Sequence, residues 1–73
     1  MHVKHVEIST EQIALGQLLK LAGVAETGGA VKTLLAQESV SVNGRPETRR
    51  GAKLKRGDVV ACAGEQFRLV GRA

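Results

Sequence analysis

Apolar residues along the chain follow two rhythms. Ala14, Leu15, Leu18, Leu19 and Ala22 recur at the spacing of one helix face, and Ala30, Val31, Leu34 and Leu35 repeat it. Elsewhere the apolar runs are short. Val3, Val6 and Ile8 precede the helical patterns, and Val40-Ser41-Val42, Val59-Val60-Ala61-Cys62 and Phe67-Arg68-Leu69-Val70 follow them. The pattern predicts a strand over 2–8. It predicts a first helix opening at Thr10 as cap, with Glu11 and Gln12 in its first turn, and a second helix from Thr27 to Gln37. Gly23 stands where the first helix should end in a left-handed residue, with Val24 folding back onto Leu19 in a Schellman motif. Gly16, inside that helix, costs up to roughly 1 kcal/mol relative to alanine, and the close approach of another element would account for it.

The second half reads as strands and turns. Asn43-Gly44 suits a two-residue type I′ hairpin, whose central residues both need positive φ. Pro46 marks an edge strand because it donates nothing to a ladder. A loop is expected over 49–53, a turn over 55–58, a strand over 59–62, a turn over 63–66 and an antiparallel return over 67–70. Together these define an α+β fold: a two-helix helix–loop–helix packed on one face of a small, mostly antiparallel sheet. The 73 residues carry no linker, repeat or low-complexity segment and read as a single domain over 1–73.

Composition narrows the function. The chain has one cysteine, no signal-peptide pattern and no apolar run long enough for a bilayer. A reducing, cytoplasmic setting with no membrane partner is therefore expected. There is no paired carboxylate set in an apolar context, no Ser/His/Asp spacing and no phosphate-loop signature, so neither an enzyme nor a cofactor is expected. His2 and His5 make only two weak metal ligands and read as solvent-facing strand residues. Cys62, between two alanines in a strand pattern, reads as a buried, inert thiol.

Charge changes the picture most. The net charge is +4, yet Arg45 to Arg56 alone holds six cations against the single anion Glu47. The remaining 61 residues therefore sum to −1. A charge run is often only a solvated face, but this concentration points to an anionic partner. Phe67 is the only aromatic residue, so the chain cannot build a base-stacking platform. Nucleic acid would have to be held through phosphates, sugars and shape. Arg45, held just after the tight turn, and Arg49, Arg50, Lys53, Lys55 and Arg56 are the candidate contacts, arginine being suited to phosphate by its planar fork. The glycine-rich opening of the second helix, Thr27-Gly28-Gly29, leaves free amides uncrowded at the positive end of the helix dipole, with Lys32 about a turn away.

These residues carry a resemblance. The turn Gly23-Val24-Ala25, a second helix bearing Lys32, then Val40-Ser41-Val42-Asn43-Gly44, a basic stretch and Leu54-Lys55-Arg56-Gly57-Asp58-Val59-Val60 resemble the S-four-type RNA-binding domain, or alpha-L RNA-binding motif. That family includes small-subunit ribosomal protein four, pseudouridine synthases, tyrosyl-tRNA synthetases and a ribosome-associated heat-shock protein. The resemblance runs from about Ile13 to Val60 and is closest to small stand-alone bacterial members. It implies RNA held by the second helix and the adjoining hairpin. Many members carry a Ser-Arg pair at the start of that helix, where this chain has Thr27-Gly28-Gly29. The resulting expectation is a monomer that binds structured RNA, most naturally ribosomal RNA, with the ribosome or its assembly factors as further partners. The rival is a protein-interaction module whose basic surface docks an acidic partner such as an assembly factor. Double-stranded DNA is disfavoured because neither helix carries more than one Lys or Arg.

Overall fold

A computed structural model describes residues 3–37 and 39–71. The elements run β1 (Val3–Ile8), β2 (Gln12–Ala14), α1 (Leu15–Leu21), α2 (Gly28–Ala36), β3 (Val40–Val42), β4 (Arg45–Pro46), β5 (Lys53–Lys55), β6 (Val59–Cys62) and β7 (Glu65–Gly71). Five strands form one sheet in the order β1-β7-β6-β3-β4, with β1 parallel to β7 and the other pairs antiparallel. β2 and β5 make a separate antiparallel ribbon. The expected α+β arrangement is present, with Pro46 on the edge strand β4 as its missing N–H requires.

The core lies between the two helices and one face of the large sheet. Leu15, Leu18 and Leu19 of α1 are fully inaccessible. They pack with Val31 and Leu35 of α2 and with Ile8, Val40, Val60, Cys62 and Leu69 of the sheet. Each such side chain contributes roughly 1.5–3 kcal/mol by leaving water. Cys62 is buried as expected, and burial, helped by the nearby Glu65 charge, pushes its thiol pKa up.

Three boundaries differ from the sequence reading. The first helix opens at Leu15 rather than near Thr10. Gln12, Ile13 and Ala14 are extended because they pair with Lys55, Leu54 and Lys53, and the Thr10 hydroxyl donates to the Gln12 carbonyl (2.6 Å) instead of capping a helix. Lys53 and Lys55 are strand residues rather than loop and turn residues, because buried Leu54 anchors β5 to that ribbon. The expected four-residue turn at 63–66 is a two-residue turn, Ala63-Gly64, with φ of 54° and 79°. Glu65 and Gln66 therefore belong to β7. His2 lies outside the described residues, and His5 is exposed on β1.

The helix ends behave as their sequences dictate. Gly23 has φ +79°, its N–H donates to the Lys20 carbonyl (3.1 Å), and the Val24 N–H donates to the Leu19 carbonyl (3.0 Å). This is the Schellman pattern. The start of α1 has no side-chain cap. Its Leu15 and Gly16 amides instead donate to the carbonyls of Ala52 and Arg50, each at 2.9 Å. The approach is close: a Cβ at 16 would sit 3.4 Å from Arg50 Cβ, the Arg50 carbonyl and Val31 Cγ1, at the near limit of ordinary contact.

Asn43 does more than turn the hairpin. Its φ of 52° and the 84° of Gly44 form the expected tight turn. Its side chain also donates through Nδ2 to Asp58 Oδ1 (3.1 Å), while its Oδ1 accepts from the Val59 amide (2.9 Å). Asp58 Oδ2 in turn accepts from the Lys55 amide (2.9 Å). The two motifs that carry the resemblance, Asn43-Gly44 and Gly57-Asp58, are thus one clasp joining the hairpin to the turn between β5 and β6.

Candidate RNA-binding groove

A groove of about 320 Å³, with Ala14 and Val31 in its lining, opens where α1, the start of α2 and the segment before β5 meet. Its rim carries Gln17 and Lys20 from α1, Gly28 from α2, and Arg50, Gly51 and Lys53 from the later segment. Each is placed by a local rule. Lys20 lies one helical turn beyond Gly16, so it stands on the face of α1 that the loop approaches. Lys53 points outward because strand alternation sends Leu54 inward. The Arg50 side chain is exposed while its backbone carbonyl is held by Gly16. Among the described residues the only ion pairs are Lys4–Glu65 and Arg49–Glu47, so Lys20, Arg50 and Lys53 face the groove without a carboxylate partner.

The start of α2 forms one wall. Thr27 is extended (φ −134°, ψ 165°), and its Oγ1 accepts from the Ala30 amide at 3.1 Å. That satisfies one first-turn donor, and the amides of Gly28 and Gly29 are among those a helix leaves without internal acceptors. Neither glycine is demanded by sterics. Neither has positive φ, a Cβ at Gly28 would have nothing within 4 Å, and one at Gly29 would meet only Thr27 Oγ1 at 3.8 Å.

Gly28, Arg50 and Lys53 are thus brought together as the sequence pattern suggested. Thr27 and Gly29 adjoin them through the helix start. Lys32 is exposed on α2, Arg45 on the edge strand β4, and Lys55 beside Gln12 of the ribbon, all outside the groove lining. Arg56 turns away and lies across Gly71 of β7, with its Nε 3.0 Å from where a Cβ at 71 would stand. Arg49 is engaged by Glu47, through Nε to Oε2 and Nη2 to Oε1, both 3.2 Å. The pair holds the Glu47 carboxyl down to about 2 and raises the guanidinium pKa. Sequence reasoning missed Lys20 and Gln17. For Lys20 the signal was available: four residues after Gly16, it shares the helix face to which the glycine admits another element.

A helix–loop–helix on a mostly antiparallel sheet, with cations gathered where the helices meet, defines the alpha-L class of RNA-binding fold. The sequence matches the S4 domain over residues 6–70, and the chain belongs to that family. The match extends well beyond the span over which the sequence motifs carry the likeness. The chain is 51% identical over 59 residues to the "Probable ribosome maturation protein RlbA" of Bacillus subtilis (strain 168), covering 81% of this chain and 83% of that one. It is 38% identical over 58 residues to the "Putative RNA-binding protein YbcJ" of Escherichia coli (strain K12), covering 80% and 83%.

Proposed function

We propose that the protein acts as a single RNA-binding domain on structured RNA, with ribosomal RNA as its natural class. The observation that carries the reading is the groove itself. It joins three cations that have no carboxylate partner among the described residues, Lys20, Arg50 and Lys53, to a helix start whose glycines leave its amides open. Such a site offers charge and directed donors to a phosphate but no aromatic surface to a base. A sharply bent backbone, as in folded RNA, would present a phosphate to the concavity, while Lys32, Arg45, Lys55 and Arg56 would meet flanking phosphates or set the long-range field. The names of the relatives, one a ribosome maturation protein and one an RNA-binding protein, support ribosome-related RNA as the partner.

The test is charge reversal. Arg50→Glu with Lys53→Glu should leave the fold intact, since both side chains are exposed, and should abolish binding to a fluorescein-labelled fragment of structured ribosomal RNA in an anisotropy titration. Unchanged affinity would reject the groove as the binding site. Pull-downs whose partners survive ribonuclease treatment would favour a protein partner instead.

A further inference from the structure

Glu47 is the one acid inside the basic segment, and by charge alone it should oppose RNA. The structure gives it a different part. Its amide donates to the Val40 carbonyl (3.0 Å), which fixes it to the end of the sheet. Its carboxylate then receives four donors. Oε2 accepts from the Thr48 amide (3.0 Å), the Arg49 amide (3.1 Å) and Arg49 Nε (3.2 Å), and Oε1 accepts from Arg49 Nη2 (3.2 Å). The next residues are pinned from the other side, where the Arg50 and Ala52 carbonyls receive the Gly16 and Leu15 amides of α1, and the Ala52 amide donates back to the Arg49 carbonyl (3.2 Å). The segment between β4 and β5 is therefore clamped at both ends. Among the described residues, its carboxylate end is the only part held by a side-chain hydrogen bond.

Taking the RNA reading as its basis, we infer that Glu47 is a positioning residue for RNA binding: it pre-orders the segment that carries Arg50 to the groove. A flexible cation must be ordered when it meets a phosphate, and that ordering subtracts from affinity. A clamp that orders it beforehand removes the cost. The negative charge is spent on Arg49 and two amides, so little of it faces the ligand.

This reading and plain electrostatics differ in sign. Removing an acid from a basic surface should tighten RNA binding if charge alone matters. If Glu47 positions, Glu47→Ala weakens binding by about three- to tenfold, the scale of one or two side chains left to be ordered on contact. Glu47→Gln keeps a carbonyl for the amides and should fall between the wild type and the alanine variant. The experiment titrates a fluorescein-labelled ribosomal RNA fragment with the full chain and both variants. Amide hydrogen exchange at Thr48, Arg49, Leu15 and Gly16 and thermal melting are measured alongside. The inference expects the order wild type, Gln, Ala in falling affinity, faster exchange at Thr48 and Arg49, and a nearly unchanged melting temperature, which a defect of the whole fold would not leave in place. Equal or tighter binding by Glu47→Ala, with the wild type binding normally, overturns the inference alone. If the wild type binds no RNA, the RNA reading falls and this inference falls with it.

Discussion

Replacing Gly28 with alanine should strengthen the fold and weaken RNA binding. Gly28 is the first residue of α2, its φ is not positive, and an added Cβ would meet no atom within 4 Å. The folded state therefore accepts the methyl without strain, and the unfolded chain loses conformational freedom. Gly→Ala at such a site stabilises by about 0.4–1 kcal/mol. For a chain of this size that corresponds to a rise in Tm of roughly 2–8 °C. The same methyl would stand on the groove wall beside the cations of Lys20, Arg50 and Lys53. It would keep a phosphate from the Gly28 amide, and losing one hydrogen bond to a charged group costs about 1.5–3 kcal/mol, or tenfold to a hundredfold in affinity. Calorimetry and anisotropy on the same preparation test both halves. A higher Tm with undiminished affinity would refute the reasoning, because the glycine would then serve neither the fold nor the ligand.

Further outcomes follow from the same geometry. Lys20→Ala should weaken binding and reduce the slope of log affinity against log salt by about 1, measured by titration at several ionic strengths; an unchanged slope removes Lys20 from the phosphate contacts. Asn43→Ala breaks the bonds to Asp58 and the Val59 amide and puts alanine at positive φ, so urea unfolding should show a loss of about 1–3 kcal/mol. Glu47 has its folded pKa lowered from 4.5 to about 2, so its contribution is present above about 4.5 and is lost as pH falls toward about 2. Because the pair is exposed, the Tm difference between wild type and Glu47→Gln is at most small even at neutral pH; what there is of it should close across that window and shrink in high salt.

The helices and hairpin were legible because each is set by local signals. Helical spacing, the Gly23-Val24 ending and Asn43-Gly44 all specify backbone within a few residues, and the structure follows them. The ribbon of β2 and β5 was not legible, because Gln12-Ile13-Ala14 has no strand pattern of its own and becomes extended only by pairing with Leu54 across the chain. That pairing also moves Lys53 out of its expected loop. Of the cations named from the charge run, Arg50 and Lys53 lie at the groove, Arg49 pairs with Glu47 and Arg56 lies over Gly71, a distinction of placement that composition does not carry. Lys20 was hidden for the converse reason: a single cation on a helix far away in sequence joins the cluster only through the fold.

The uncapped start of α1 has a consequence for how the molecule assembles. A seven-residue helix with no side chain to close its first turn has little stability of its own. Its opening amides are closed by the carbonyls of Arg50 and Ala52, which emerge much later from a ribosome. The first helix is therefore among the last parts of the backbone to be completed. The Leu15 and Gly16 amides have these acceptors only once the chain beyond Ala52 is present. The first turn of α1 and the segment at Arg50 and Ala52 thus complete each other's backbone hydrogen bonds, and neither is closed without the other.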